Sequence, residues 1–196
     1  SVTGVQTCAL PISLVASLAF EQLGSNAIAI TGISPALANT LREEARRQAK
    51  WIGVKHLEIK TSELDQSNYS ENPKDRCFAC KKELHKHTTY LSKKLNYKIV
   101  LDGVNHDDLK DYRPGIKASK QAGVISPLAK FKFSKQDIRD ISKALGFPWW
   151  DKPAQPCLSS RFPYGHEITN ERLKMVEKAE EYLKDCGLSE VRVRCQ

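Results

Sequence analysis

The feature that most constrains this chain is a rhythm in which amphipathic helical stretches alternate with apolar runs too short to be helices. Leu14, Val15, Leu18, Ala19 and Leu23 share one helical face up to Gly24, and residues 27–31 (AIAIT) follow as a run suited to a buried strand. Ser34 and Pro35 then read as the cap and first turn of a helix carrying Leu37, Leu41, Ala45 and Ile52. Residues 56–60 read as a second strand, 61–74 as a polar loop, 77–96 as a helix and 99–101 as a third strand running into Asp102-Gly103. Ser134 with Asp137 predicts a capping box for a helix through Leu145, and Thr169 opens a last helix that stops at Gly187. Such alternation predicts an α/β fold, a doubly wound parallel sheet with helices on both faces. In such sheets ligands sit beyond the carboxyl ends of the strands. The loops after Thr31, Lys60 and Leu101 should therefore line one crevice.

The two ends keep the rhythm less well. Residues 1–12 (SVTGVQTCALPI) have neither the basic start nor the long apolar stretch of a secretory leader. They read as a segment foreign to the rest of the chain, with a genuine N-terminal strand as the alternative, and Cys8 is given no role. At the other end VRVR alternates apolar and basic residues, which predicts a strand. The expected layout is a main domain over 13–155 and, over 156–196, the start of a truncated α+β domain for substrate and oligomerisation.

At 196 residues the chain suits one sizeable core. No apolar run approaches the roughly 20 residues of a membrane helix, so no spanning segment is expected. Lys+Arg 31 against Asp+Glu 23 leaves a net charge of +8 and predicts an anionic partner. Phosphate-bearing small molecules and RNA both satisfy it. Six cysteines without a leader suit reduced thiols in a cytoplasmic protein better than a disulfide framework.

Four constellations carry the chemistry. Cys77-Phe78-Ala79-Cys80 opens a helix between Arg76 and Lys81-Lys82, where the helix N-terminus and the cations should make both thiols more acidic than free ones. Two such thiolates can share a metal or cluster, or act as a redox pair; the bland alternative is two unliganded helix cysteines. Asp102-Gly103-Val104-Asn105-His106-Asp107-Asp108, continuing to Asp111-Tyr112-Arg113-Pro114-Gly115, sets acids at a sheet edge where they can orient a nucleotide or hold Mg2+. The alternative there is a solvated acidic turn with Pro114-Gly115 as its corner. Cys157-Leu158-Ser159-Ser160-Arg161 before a Pro/Gly turn suits phosphate binding beside a nucleophile or cluster ligand. Finally, Glu180 lies on the apolar stripe of Leu173, Val176 and Leu183, while Arg192 and Arg194 point to one face as an anion clamp that Glu180 can pair with. Cys77 and Cys80 with Cys157 make three thiolates, one short of a full ligand set, which leaves one iron of a cluster open. Cys186 and Cys195 read as structural.

At RCFACKK, LDGVNHDDLKDYRPGIKAS, the stretch from VISPLAK to SSRFPYG, and VRVR, the chain resembles the ATP-dependent sulfur transferases of the LarE family. These are PP-loop ATP pyrophosphatases related to NAD and GMP synthetases. The resemblance implies a cytoplasmic homo-oligomer that adenylates pyridinium-3,5-dicarboxylate mononucleotide and converts it to a thiocarboxylate for the nickel-pincer nucleotide. It implies ATP and Mg2+, and the three cysteines favour the type with a [4Fe-4S] cluster over the type that sacrifices a cysteine sulfur. Cys77, Cys80, Cys157 and Lys81 are the implied catalytic residues, and Ser160, Arg161, Glu180, Arg192 and Arg194 the substrate-binding ones. Glu180 is also a candidate Mg2+ ligand. Ser13, Thr31, Asp102, Gly103, Asp108 and Arg113 are candidates for nucleotide binding.

One departure stands out. The family's phosphate-cradling SGGxDS loop should immediately precede Ser13-Leu14-Val15-Ala16, and CALPI stands there instead. Weak ATP binding and little turnover are therefore expected of this chain. Two other readings compete. A PP-loop tRNA-thiolating enzyme would suit the charge but lacks an RNA-binding module here, so nucleic acid is not the expected partner. A non-enzymatic zinc protein would use the thiols only as staples.

Overall fold

The computed structural model describes residues 2–5 and 9–195, with side chains from Ala9 onward. Four parallel strands form one sheet: β1 (Val2–Val5), β2 (Ala27–Ile33), β3 (Lys55–Lys60) and β4 (Ile99–Leu101). Their order is β3-β2-β1-β4, and a parallel bridge between Leu101 and Ile125 extends the β4 edge. The chain is thus α/β with a parallel sheet, and the order reverses between β1 and β4, where crevices open in such folds. From sequence, residues 1–12 read as foreign to the chain, with an N-terminal strand as the alternative; Val2–Val5 forms the strand between β2 and β4.

The connecting helices are α1 (Leu10–Leu23), α2 (Asn39–Ile52), α3 (Ser67–Ser70), α4 (Arg76–Lys94), α5 (Pro114–Gln121), α6 (Pro127–Lys130), α7 (Lys135–Ala144) and α8 (Asn170–Asp185). Start signals that consist of a local hydrogen bond are found in place. Ser134 and Asp137 form the reciprocal capping box of α7, and Thr169 accepts from the Arg172 amide at the start of α8. Ser34 does not cap α2. Its hydroxyl accepts from the Ala36 amide within a turn, and α2 begins at Asn39, whose amide donates to Glu177 Oε1 of α8 at 2.6 Å. The stretch expected to be loop over 61–74 holds a 3-10 turn (Glu63–Asp65) and α3, ordered because Tyr69 is buried. Pro114 begins α5, where its missing N–H costs nothing, so Pro114-Gly115 is a helix start and not a corner. Residues 191–195 alternate as predicted, with the valines half-buried and the arginines exposed, yet form no strand ladder among the described residues.

Two cores matter for the site. Ile12, Leu14 and Val15 of α1 pack with Leu128, Ile138 and Phe147, fixing the helix that follows β1. A second core gathers Ala36, Tyr69, Ala79, Leu158, Phe162, Ile168, Leu173 and Val176. At roughly 1.5–3 kcal/mol per fully buried large apolar side chain, this second core holds the 157–168 segment and α8 against the start of α4. No described helix is long and apolar enough to cross a membrane.

Candidate functional site

Three thiols from two distant segments meet over the second core. Ala79, between Cys77 and Cys80, and Leu158, next to Cys157, are both buried in it, and Cys80 packs against it. Cys77 and Cys157 are exposed and Cys80 is half-buried. The expected acidity of the pair is reversed. Burial, followed by the neighbouring Cys157, raises the Cys77 thiol above its ordinary value, and the cations of Arg76, Lys81 and Arg113 only partly offset it. Cys80 is pushed up further, by burial first, then Glu63 and Cys157. The flanking charges are legible in the sequence, but desolvation outweighs them, at Cys80 through packing against the second core.

Sequence reasoning missed two groups beneath these thiols. The Tyr69 hydroxyl lies 2.6 Å from Ser159 Oγ, bridging α3 to the Cys157 segment. Burial, then Cys157 and Cys80, hold Tyr69 protonated far above its usual range. Glu63 is 3 % exposed, and its Oε2 has no hydrogen-bond partner among the described residues. Their only sequence signal is an apolar Tyr inside a polar run.

Among the described residues no three His, Cys, Asp or Glu side chains are preassembled as a metal-binding group. The donor set nonetheless suits an iron–sulfur centre, because three thiols share one neighbourhood and two of them are accessible.

Lys81 lies one turn beyond Cys77 on α4. Burial lowers its pKa while Asp102 pulls it upward. Gly115 makes this approach of α4 and α5 feasible, since a Cβ there would lie 3.0 Å from Lys81 Cγ and 3.3 Å from the Cys77 carbonyl oxygen. Asp102, just past β4, is 1 % exposed; its Oδ1 accepts from the Val104 amide, and its Oδ2 has no hydrogen-bond partner among the described residues. Gly103 must lack a side chain, because a Cβ would fall 2.8 Å from the Ile12 backbone nitrogen. Asp108 is buried and paired with Arg113 at 2.9 Å, so these two reach the same edge together. Thr31 and Ser13 are less available. Thr31 Oγ1 is 2.9 Å from His56 Nε2, and the Ser13 hydroxyl donates to Gln48 Oε1 at 2.6 Å.

Glu180 has a different partner from the one expected. Its carboxylate takes Arg161 Nε at 2.7 Å and Nη2 at 3.0 Å, and Oε1 also accepts from the Val193 amide. The Arg161 Nη1 donates to the Pro156 carbonyl and to Ser160 Oγ. Arg192 and Arg194 stay exposed, and Arg192 lines a cleft with Lys184, Leu41 and the 153–156 loop.

His85 sits on the inner side of α4 at 2 % exposure, its Nε2 2.9 Å from Ser119 Oγ. Burial, then the Lys81 cation, hold its pKa down at about 4 against an ordinary value of 6.5, with Asp102 opposing. The unfolded chain therefore takes up a proton before the folded one does. Stability contributed by neutral His85 is complete above the ordinary value and falls as pH drops toward about 4, by up to roughly 1.4 kcal/mol per pH unit. Urea unfolding at pH 7 and pH 5 should register that loss, and His85→Gln should flatten it. An equal loss in the variant would assign the acid sensitivity elsewhere.

No family model matches the chain. It is 54 % identical over 184 residues to an uncharacterized protein of Synechocystis sp., covering 94 % of this chain and 69 % of that protein. It is 32 % identical over 183 residues to the pyridinium-3,5-bisthiocarboxylic acid mononucleotide synthase of Lactiplantibacillus plantarum, covering 93 % of this chain and 66 % of that one. The chain belongs to the LarE-like family. An uncharacterized protein of Methanocaldococcus jannaschii is 37 % identical over 139 residues, which is 71 % of this chain and 54 % of that relative. This LarE-like chain thus spans about two thirds of the Synechocystis and Lactiplantibacillus proteins and about half of the Methanocaldococcus one.

Proposed function

We propose that this chain is the sulfur-inserting part of a LarE-like enzyme, acting on a carboxylate of pyridinium-3,5-dicarboxylate mononucleotide. The observation that carries the reading is the common core behind Cys157 and the Cys77–Cys80 pair, beside the loop that follows β4. The similarity to the Lactiplantibacillus plantarum synthase supports it.

Two steps are needed because a free carboxylate is a poor electrophile. A carboxylate oxygen first attacks the α-phosphorus of ATP, and the bond to pyrophosphate breaks. A sulfur nucleophile then attacks the acyl carbon, forming C–S as the C–O bond to AMP breaks. Asp102 offers a buried oxygen with no hydrogen-bond partner among the described residues for the nucleotide's Mg2+, and Asp108 with Arg113 lies at the same edge. Arg192, Arg194 and Ser160 are exposed and suited to the mononucleotide phosphate. Lys81 brings a cation beside Asp102 and the thiols. A [4Fe-4S] cluster on Cys77, Cys80 and Cys157 would supply one iron with an open position for an extra sulfur ligand. In this reading the sheet is doubly wound and the protein is a cytoplasmic homo-oligomer.

Anaerobic reconstitution with iron and sulfide tests the thiol site without requiring turnover. The expected product is brown, with broad visible absorption and about four irons per chain, and Cys157→Ala should lose most of both. A colourless product, or iron uptake indifferent to Cys157→Ala, would remove the cluster from the reading.

A further inference from the structure

The thiols lie on separate segments, so something must fix the gap between them. Apolar packing in the second core sets no register along the chain direction, and its Tyr69–Ser159 contact reaches α3, so neither ties Cys157 to the start of α4. A polar side chain outside the thiol site does. Asn72 is fully buried and holds a left-handed backbone with φ of 56°, between α3 and α4. Asparagine tolerates that conformation better than most residues.

Every polar group of Asn72 is used, and its side-chain amide and backbone carbonyl reach across the gap. Its Nδ2 donates to the Pro163 carbonyl at 2.7 Å and to that of Phe162 at 3.4 Å. Its own carbonyl accepts from the Gly165 amide at 2.9 Å, and its amide donates to the Tyr69 carbonyl at 3.0 Å. Its Oδ1 accepts from Arg76 Nη1 at 2.5 Å, and the Arg76 guanidinium lies 5.2 Å from the Tyr164 ring centroid. One residue thereby joins the turn after Cys157 to the first residue of α4, adjacent to Cys77. The Ile168 amide donating to the Ser70 carbonyl at 2.7 Å reinforces the same seam.

We propose that Asn72 is a positioning residue that sets the separation between Cys157 and Cys77. Its importance for sulfur transfer rests on the function proposed above, whereas its geometry stands on these contacts alone. Arg76, held between Asn72 and Tyr164, is carried with it.

The test uses the full chain with Cys8, Cys80, Cys186 and Cys195 changed to Ser, leaving only Cys77 and Cys157. Dibromobimane fluoresces strongly only when both of its arms have reacted, so its emission reports two thiols within reach of one small molecule. Bright cross-linking is expected in this background, and a several-fold loss on adding Asn72→Gly, which keeps the backbone and deletes the amide. Total thiol reactivity should stay unchanged. Asn72→Asp, which sets a carboxylate oxygen against the Pro163 and Phe162 carbonyls, should lose at least as much, and far-UV circular dichroism of both variants separates a lost clasp from lost folding. Undiminished cross-linking in both variants, or none in the parent, overturns the proposal. If the parent cross-links but the native-cysteine chain takes up no iron, the cluster reading fails while the clasp stands.

Discussion

Replacing residues 7–12 (TCALPI) by Ser-Gly-Gly-Val-Asp-Ser should raise ATP-dependent pyrophosphate release by about two to three orders of magnitude, the usual worth of preorganised donors at a developing charge. The start of α1 explains why the present chain should be poor. A helix that follows a strand at a sheet's switch point is an anion site only if its first-turn amides are free and its approach is uncluttered. Here Ala9 offers no side-chain cap, Pro11 has no amide, and the amides of Ile12 and Ser13 both donate to the Ala9 carbonyl at 3.2 Å. The glycine-rich replacement supplies backbone N–H groups where a phosphate chain can approach closely, and its aspartate supplies a magnesium ligand. Gly103, already shaped to the backbone of Ile12, leaves room for that turn. The measurement is pyrophosphate release with ATP and the pyridinium mononucleotide, in both chains and in a loop variant carrying Asn for the new aspartate. Equal rates in all three would detach the nucleotide step from this helix.

How far the sequence announces this arrangement depends on how local each cause is. The α7 capping box needs only Ser134 and Asp137, three residues apart, and it is readable. The run over 99–101 needs only its apolar character to become β4. The start of α2 is hidden because its first amide is satisfied by Glu177, 138 residues away. Helices α5 and α6 are only 8 and 4 residues long, too short to build an apolar stripe that periodicity can detect. At the thiols, residue types and spacing are visible, but the second core is not. That core turns an expected acid shift into its opposite and makes Tyr69 and Asn72 relevant. The VRVR alternation correctly gives the facing of Arg192 and Arg194, while the carboxylate assigned to them has found a nearer guanidinium.

That guanidinium gives the largest expected effect on stability. Glu180→Ala should destabilise the chain by about 3–5 kcal/mol, the range for stranding one member of a buried ion pair. Arg161 and Glu180 have side chains only 7 % and 5 % exposed and meet through two parallel hydrogen bonds. Without the carboxylate, Arg161 Nε and Nη2 lose their acceptors and the Val193 amide loses its own, so the terminal segment loosens as well. If Glu180 served instead as a free ligand for Mg2+ or substrate, its removal would relieve an unfavourable buried charge and stability would hold or rise. A double variant, Arg161→Met with Glu180→Leu, separates the terms by removing both charges while keeping volume, and it should recover most of the loss. Urea unfolding of the three proteins at pH 7 reads this directly. A loss below about 1 kcal/mol for Glu180→Ala, the scale of an exposed pair, would mean that the pair does not hold the 157–168 segment to α8. The position of Cys157 would then depend on the apolar core, the Tyr69–Ser159 contact, the Leu158 amide bond to Ala36 and the Asn72 clasp.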